Sequence, residues 1–253
     1  MILMNPNRGK ITGGGGVLPR MLPLWLLLLS LSAGSARAEE VNIAVELYPL
    51  QGGALVYTAE RTVRTEGGQI TEKNTYRDTK GVVLVETEAV FDAATLEPVK
   101  YRYLDTRSGE TETLDRQGGK AVMTYLKARG EKQKSGEEAM GAGKIISAAV
   151  TPFIQRNREA LLAKMAMDFR LLVPNRQDSV GFRLMSDPEA KSPSGTFVIR
   201  MEASTWVIRQ LVDPLYLILE DKPPYRLVEF RGRVAVKTNE GKDQDMRVVF
   251  KYP

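Results

Sequence analysis

The side chains that most often carry enzymatic chemistry are scarce in this 253-residue sequence, which contains no cysteine and no histidine. The first absence removes disulfides, thiol nucleophiles and a lipid-modified N-terminal cysteine. The second removes the Ser-His-Asp triad, histidine-bearing zinc sites and the usual general base near neutral pH. Paired carboxylates, a Ser-Lys arrangement or a lysine of shifted pKa remain. Asp168 stands two residues from Arg170 in an extended stretch, which places both on one strand face and predicts an exposed pair of little energetic worth. Asp213 precedes Pro214, a turn-forming dipeptide. Ser147 and Ser204 have no lysine at a spacing that marks a dyad. The expectation is a protein without catalytic machinery, cofactor or metal.

The elements that would position any site begin after a leader. Arg8, Lys10 and Arg20 precede the apolar run Leu22 to Leu31, and Ala36-Arg37-Ala38 ends a small-residue stretch before Glu39-Glu40. A charged start, a short apolar middle and small residues at the cut are the marks of a secretory signal peptide. The run is about half the ~20 residues that span a bilayer, and no second one follows. Residues 1–38 are therefore read as a signal peptide cleaved near Ala38, and the mature chain as periplasmic or secreted, with no transmembrane span. Initiation at Met1, Met4 or Met21 yields the same mature protein.

Removing the leader changes the charge. The whole chain has 36 Lys+Arg and 31 Asp+Glu. The leader holds four of the basic residues and no acid, leaving 32 positive charges against 31 negative. Near-neutrality gives no general attraction to phosphate, so nucleic acid is not an expected partner.

From Glu40 to about Gly130, hydrophobicity alternates. Val41, Ile43, Val45 and Leu47 interleave with Asn42, Ala44 and Glu46, the period of a half-buried strand. Turns at Gly52-Gly53, Gly67-Gly68, Lys80-Gly81, Asp92 to Pro98, Ser108-Gly109 and Gly118-Gly119 leave room for hairpins but not for parallel crossovers. Residues 130–143 (GEKQKSGEEAMGAG) read as a solvated loop. An amphipathic helix is predicted near 145–164, with Ile146, Val150, Phe153, Asn157 and Leu161 on one face. Thr151-Pro152 raises the possibility of a start or kink there. Alternation then resumes, with Met167, Phe169, Leu171 and Val173 on one side. Further strands are expected at Val180–Met185, Thr196–Ala203, Trp206–Leu211, Leu215–Leu219, Arg226–Phe230, Arg233–Lys237 and Met246–Tyr252. The prediction is a mainly β (α+β) fold: residues 39–253 form a single half-barrel, a strongly curved antiparallel sheet packed around one amphipathic helix.

Three segments carry a family resemblance: Val90-Phe91-Asp92-Ala93-Ala94-Thr95-Leu96-Glu97-Pro98, Leu211-Val212-Asp213-Pro214-Leu215, and Leu227-Val228-Glu229-Phe230-Arg231-Gly232. With the leader and the mid-chain helix, they resemble exported bacterial domains of unknown function related to the lipoprotein-carrier (LolA/LolB-like) half-barrels. The resemblance implies a curved antiparallel sheet with an apolar concave face, which the carriers use to hold acyl chains. It supplies no catalytic residue.

Two functional readings follow. In the first, the concave face binds a lipid or other hydrophobic ligand, with Phe153 and Leu161 on the helix and Phe169, Phe197 and Trp206 on strands as lining residues. In the second, the sheet is an interaction or structural module for a protein of the cell envelope. Tyr101, Tyr103, Tyr125 and Tyr225, among Lys100, Arg102, Lys127 and Arg226, would then form an exposed rim.

Overall fold

The computed structural model describes residues 38–209 and 213–253. Residues 1–37 of the expected signal peptide, Leu211-Val212 of the second family-like segment and the end of the strand expected at Trp206–Leu211 lie outside them. The described chain folds as fifteen strands: β1 (Glu39–Pro49), β2 (Tyr57–Glu66), β3 (Gln69–Asp78), β4 (Val83–Asp92), β5 (Pro98–Asp105), β6 (Thr111–Gln117), β7 (Lys120–Leu126), β8 (Lys134–Ala139), β9 (Lys144–Ile145), β10 (Met167–Val173), β11 (Asp178–Ser186), β12 (Thr196–Ala203), β13 (Leu215–Glu220), β14 (Leu227–Arg233) and β15 (Asp245–Lys251). All belong to one sheet, ordered β8-β7-β6-β5-β4-β3-β2-β1-β15-β14-β13-β12-β11-β10-β9. Every pairing is antiparallel except β9 with β10. The fold is mainly β, as the alternation predicts.

The local reasons are those the sequence offers. Gly67 and Gly68 both take positive φ, 58° and 76°, which a two-residue hairpin between twisted strands requires. In the β4–β5 turn, Asp92 Oδ1 accepts hydrogen bonds from the amides of Ala94 (2.8 Å) and Thr95 (2.7 Å). These bonds hold its carboxyl below the usual range. The Asp-x-x-Thr-Leu-x-Pro segment is thus a turn with its polar atoms satisfied, and it buries Leu96 beneath.

Because β1 pairs with both β2 and β15, the ends of the described chain meet mid-sheet, and the margins are β8 and β9. Strand β8 corrects the expected loop at 130–143. It pairs with β7 so that Gly136 and Glu138 face the same way as the buried Met123 and Ala121. This inward face lies over Gln177 and Ser179 at the start of β11. Ser179 and Arg170 sit on the face of β10–β11 opposite to Phe169 and Phe182. The sheet therefore rolls up until its margins overlap, and side chains join them. Ser179 Oγ donates to Glu138 Oε1 (2.5 Å), Lys144 Nζ pairs with the same carboxylate (2.6 Å), and Arg170 Nε donates to Ser179 Oγ (2.7 Å).

Gly136 makes the overlap possible, since a Cβ there would stand 2.6 Å from Gln177 Cβ and 3.1 Å from Gln177 O. Gly136→Val is expected to cost about 1–3 kcal/mol through overpacking and to speed proteolytic nicking at 127–143. Unchanged melting and nicking would show that the overlap bears no weight.

The single helix expected at 145–164 is three pieces: a 3₁₀ turn at Ser147–Ala149, α1 (Val150–Arg156) and α2 (Arg158–Leu162). The break falls at Asn157, not at Pro152. Asn157 Nδ2 donates to the Phe153 carbonyl at 2.8 Å, competing with helix continuation. Pro152 sits in the first turn of α1, where its missing N–H costs nothing. The buried residues are Ile145, Ile146, Ala149, Val150, Ile154 and Leu161. They join strands from both halves of the sheet in the largest apolar cluster. Arg156 donates to the Ala93 carbonyl and to that of Ala94 (2.7 Å), and Gln155 donates to that of Tyr225 (3.0 Å). The helical segment thereby fastens the β4–β5 and β13–β14 loops at one end of the roll.

Two expected strands differ. Trp206–Arg209 is a short helix, α3. Residues 234–237 form no strand: they begin the long β14–β15 connection, in which Val236 is fully buried.

Candidate functional site

The inward-facing residues do not merge into one core. Three apolar clusters occupy the interior: the helix-centred one, a second on β1, β2 and β15 around Leu47 and Val45, and a third formed by Leu84, Val85, Tyr103 and Val236. A domain usually has one main core with smaller satellite clusters, and here the helix-centred cluster is the main one. Among the described residues, the apolar side chains that these clusters share are half-buried aromatics. Phe230 and Phe250 link the first to the second, Tyr57 and Tyr76 the second to the third, and Tyr101 the first to the third. Burial raises the Tyr76 hydroxyl to about 12 and lifts that of Tyr101 well above its ordinary value. Both rings are enclosed by protein, yet each keeps surface of its own.

A polar network crosses the wall between them. Arg61 Nη2 pairs with Glu72 Oε2 at 2.5 Å, and Asn74 Nδ2 donates to Glu72 Oε1 (3.0 Å) and Thr87 Oγ1 (3.1 Å). The Arg61 guanidinium also lies 5.5 Å from the centre of the Phe250 ring, a cation–π contact, while its Nε has no hydrogen-bond partner.

At the other end from the helices the interior is more acidic. Glu110 is buried and held by Lys237 Nζ at 2.6 and 2.7 Å and by the Tyr125 hydroxyl at 3.0 Å. Asp105, also buried, pairs with Arg107 at 2.7 Å. Tyr103 donates to the Ala235 carbonyl (3.2 Å) and Arg107 to that of Lys237 (3.1 Å), which tie down the connection after β14. Glu112, inward from β6, accepts one hydrogen bond, from Asn175 Nδ2 at 2.9 Å. Desolvation raises its carboxyl to about 7, against the lowering effect of that bond.

Four of the five predicted lining residues gather in the helix-centred cluster. Leu161 and Phe169 are buried and Phe153 and Phe197 are half-buried there. Phe169 has Phe153 at 5.5 Å and Phe182 at 6.0 Å between ring centres. Trp206 is not among them: it lies on α3 and is 62% exposed.

The expected tyrosine rim is also corrected. Tyr101, Tyr103 and Tyr125 face inward with Leu114 and Met123 rather than outward, and Tyr225 lies under the Arg158 guanidinium at 3.9 Å. Asp168 pairs with Arg183 (2.8 Å), not with Arg170. Sequence reasoning missed Arg61, Glu72, Tyr76, Glu112, Phe230 and Phe250. Their signal was parity with buried neighbours across each hairpin.

Two open hollows mark the outer surface, one of about 440 Å³ along Glu220 to Arg226 and one of about 330 Å³ near Asp213, Tyr216 and Arg231. Neither contains a predicted lining residue. Among the described residues no group of three acidic side chains could hold a metal ion, and no helix is long and apolar enough to cross a membrane.

No protein-family model and no curated protein matches the sequence. Among solved structures, the chain is similar to the crystal structure of a beta-barrel-like protein of the domain of unknown function DUF1849 from Brucella abortus. The two share 9% identity over 85% of this chain and 94% of that one, with a TM-score of 0.45.

Proposed function

We propose that this is an exported, non-catalytic protein that holds a lipid or other hydrophobic small molecule inside its rolled sheet, in the manner of the lipoprotein carriers. One observation supports the reading above all: half-buried aromatics bridge the three apolar clusters, and two of them, Tyr76 and Tyr101, are desolvated yet keep surface of their own. Concave, mostly apolar surfaces with a few placed polar groups are where small molecules bind. The Arg61–Glu72–Asn74 network supplies such groups beside Phe250 and Tyr76. Export rests on the leader at 1–38.

The test uses residues 39–253 and the neutral fluorophore N-phenylnaphthylamine. The expected result is saturable binding with a blue-shifted emission, reversed by a lipid extracted from the same protein as purified. No saturable binding would overturn the proposal. Export is checked separately, by N-terminal sequencing of the protein from an extracytoplasmic fraction. A start at Glu39 is expected, and an intact leader would refute it.

A further inference from the structure

Among the described residues, the acids that face the interior have a cation beside them, with one exception. Glu72 has Arg61, Asp105 has Arg107, Glu110 has Lys237 and Glu138 has Lys144, each at 2.7 Å or less. Glu112 has no such partner among the described residues. Asn175 reaches its Oε1, and no hydrogen bond reaches its Oε2.

The surroundings of Glu112 are aromatic. In the sheet register it lies directly between Tyr103 on β5 and Tyr125 on β7, with Tyr101 two residues along β5 on the same face. Directly opposed side chains on neighbouring strands have Cβ atoms about 5 Å apart, so the tyrosine side chains are the immediate cross-strand neighbours of Glu112. A carboxylate with tyrosines as neighbours is the chemistry that recognises organic ammonium groups, through charge and through the negative faces of the rings.

We infer that the ligand of this interior carries a protonated amine or quaternary ammonium head, which pairs with Glu112 between Tyr103 and Tyr125 while its apolar part lies toward Tyr101 and the bridging aromatics. The inference rests on the reading of the interior as a ligand site and names the class of molecule that enters it. Tyr101 joins the two regions, for it bridges apolar clusters and Glu112 is the charge acting most strongly on its hydroxyl.

The pH dependence follows from the groups that face Glu112. Glu110, immediately before β6, and Asp243 in the β14–β15 connection oppose its ionisation, and Lys237 favours it. Tyr101, Tyr103 and Tyr125 have hydroxyls raised above their ordinary values, so they stay neutral throughout. Burial sets the carboxyl near 7. An ammonium ligand that needs the ionised form should therefore bind about tenfold more tightly at pH 8 than at pH 6, following the ionised fraction. A neutral ligand should show no such change.

The experiment displaces N-phenylnaphthylamine from residues 39–253 with three probes of equal chain length below micellar concentration: dodecyltrimethylammonium, dodecanol and dodecyl sulfate. The ammonium is expected to displace the fluorophore at a concentration at least tenfold lower than the sulfate, and more so at pH 8 than at pH 6. Glu112→Gln keeps the size and the Asn175 bond and should abolish that preference while leaving fluorophore affinity intact. Tyr125→Leu, which retains the charge, should weaken ammonium displacement several-fold. If the fluorophore binds but the ammonium shows no preference, or Glu112→Gln preserves it, the ammonium inference is overturned and the ligand site stands. If the fluorophore does not bind the wild-type chain, both fall.

Discussion

Ile154→Asp is expected to abolish cooperative folding of residues 39–253. Ile154 is fully buried on α1, in the cluster that draws residues from β4, β6 and β7 on one side and β10 to β14 on the other. An aspartate there has no cation within reach and must either ionise in an apolar setting or bind a proton to avoid doing so. Either route costs several kcal/mol, a large part of the roughly 5–15 kcal/mol that stabilises a domain. Ile154→Val removes one methyl and should cost only about 1 kcal/mol.

The phase of the helix decides which residue carries this effect. The sequence periodicity points instead to Phe153 as the position where a charge would be most disruptive. Because the 3₁₀ turn precedes α1 and Asn157 interrupts it, Ile154 takes the central position and Phe153 moves to the half-buried edge beside Phe169. Phe153→Asp should therefore be the milder variant. Thermal melting by circular dichroism ranks the three, and a cooperative melt for Ile154→Asp within a few degrees of wild type would mean that the segment does not organise the core.

The hairpins of the first half are legible from local signals. Paired glycines and the Asp92 turn fix hairpins through their own backbone angles and hydrogen bonds, so β1 to β7 follow from alternation and turn chemistry alone. Strand β8 escaped because its inward positions are Gly136 and Glu138, which meet another layer of the same sheet rather than a core and so leave no apolar period. Alternation also separates two faces without saying which is inside. Tyr101 and Tyr103 alternate with Lys100 and Arg102, and only their register against Ala89 and Leu114 turns the tyrosines inward. The connection after β14 had a strand's period in Val234 and Val236, but its pairing partners lie elsewhere. Val236 is buried beside Tyr103, and Lys237 is committed to Glu110. Each of these failures concerns a contact distant in sequence, about which local pattern is silent.

The interior ion pair provides the second large effect. The side chains of Arg61 and Glu72 retain 13% and 9% of their surface, so removing one leaves the other charged and largely desolvated. Glu72→Leu is expected to cost about 3–5 kcal/mol, because Arg61 cannot shed its charge. Asn74 would also lose an acceptor. The double variant Arg61→Met, Glu72→Leu should recover most of that loss, since well-packed apolar replacement of a buried pair is often neutral or stabilising. Denaturant unfolding of the wild type, both single variants and the double variant closes the cycle. A cost below about 1 kcal/mol for Glu72→Leu would place the pair in effectively bulk solvent, and the enclosure of Tyr76 and Phe250 beside it would then be wrong. If the double variant is as stable as wild type, the pair contributes little to the fold that apolar packing could not supply. Its place is then explained by what it does for the interior, where two fixed charges and an amide interrupt a surface that would otherwise close into a single apolar core.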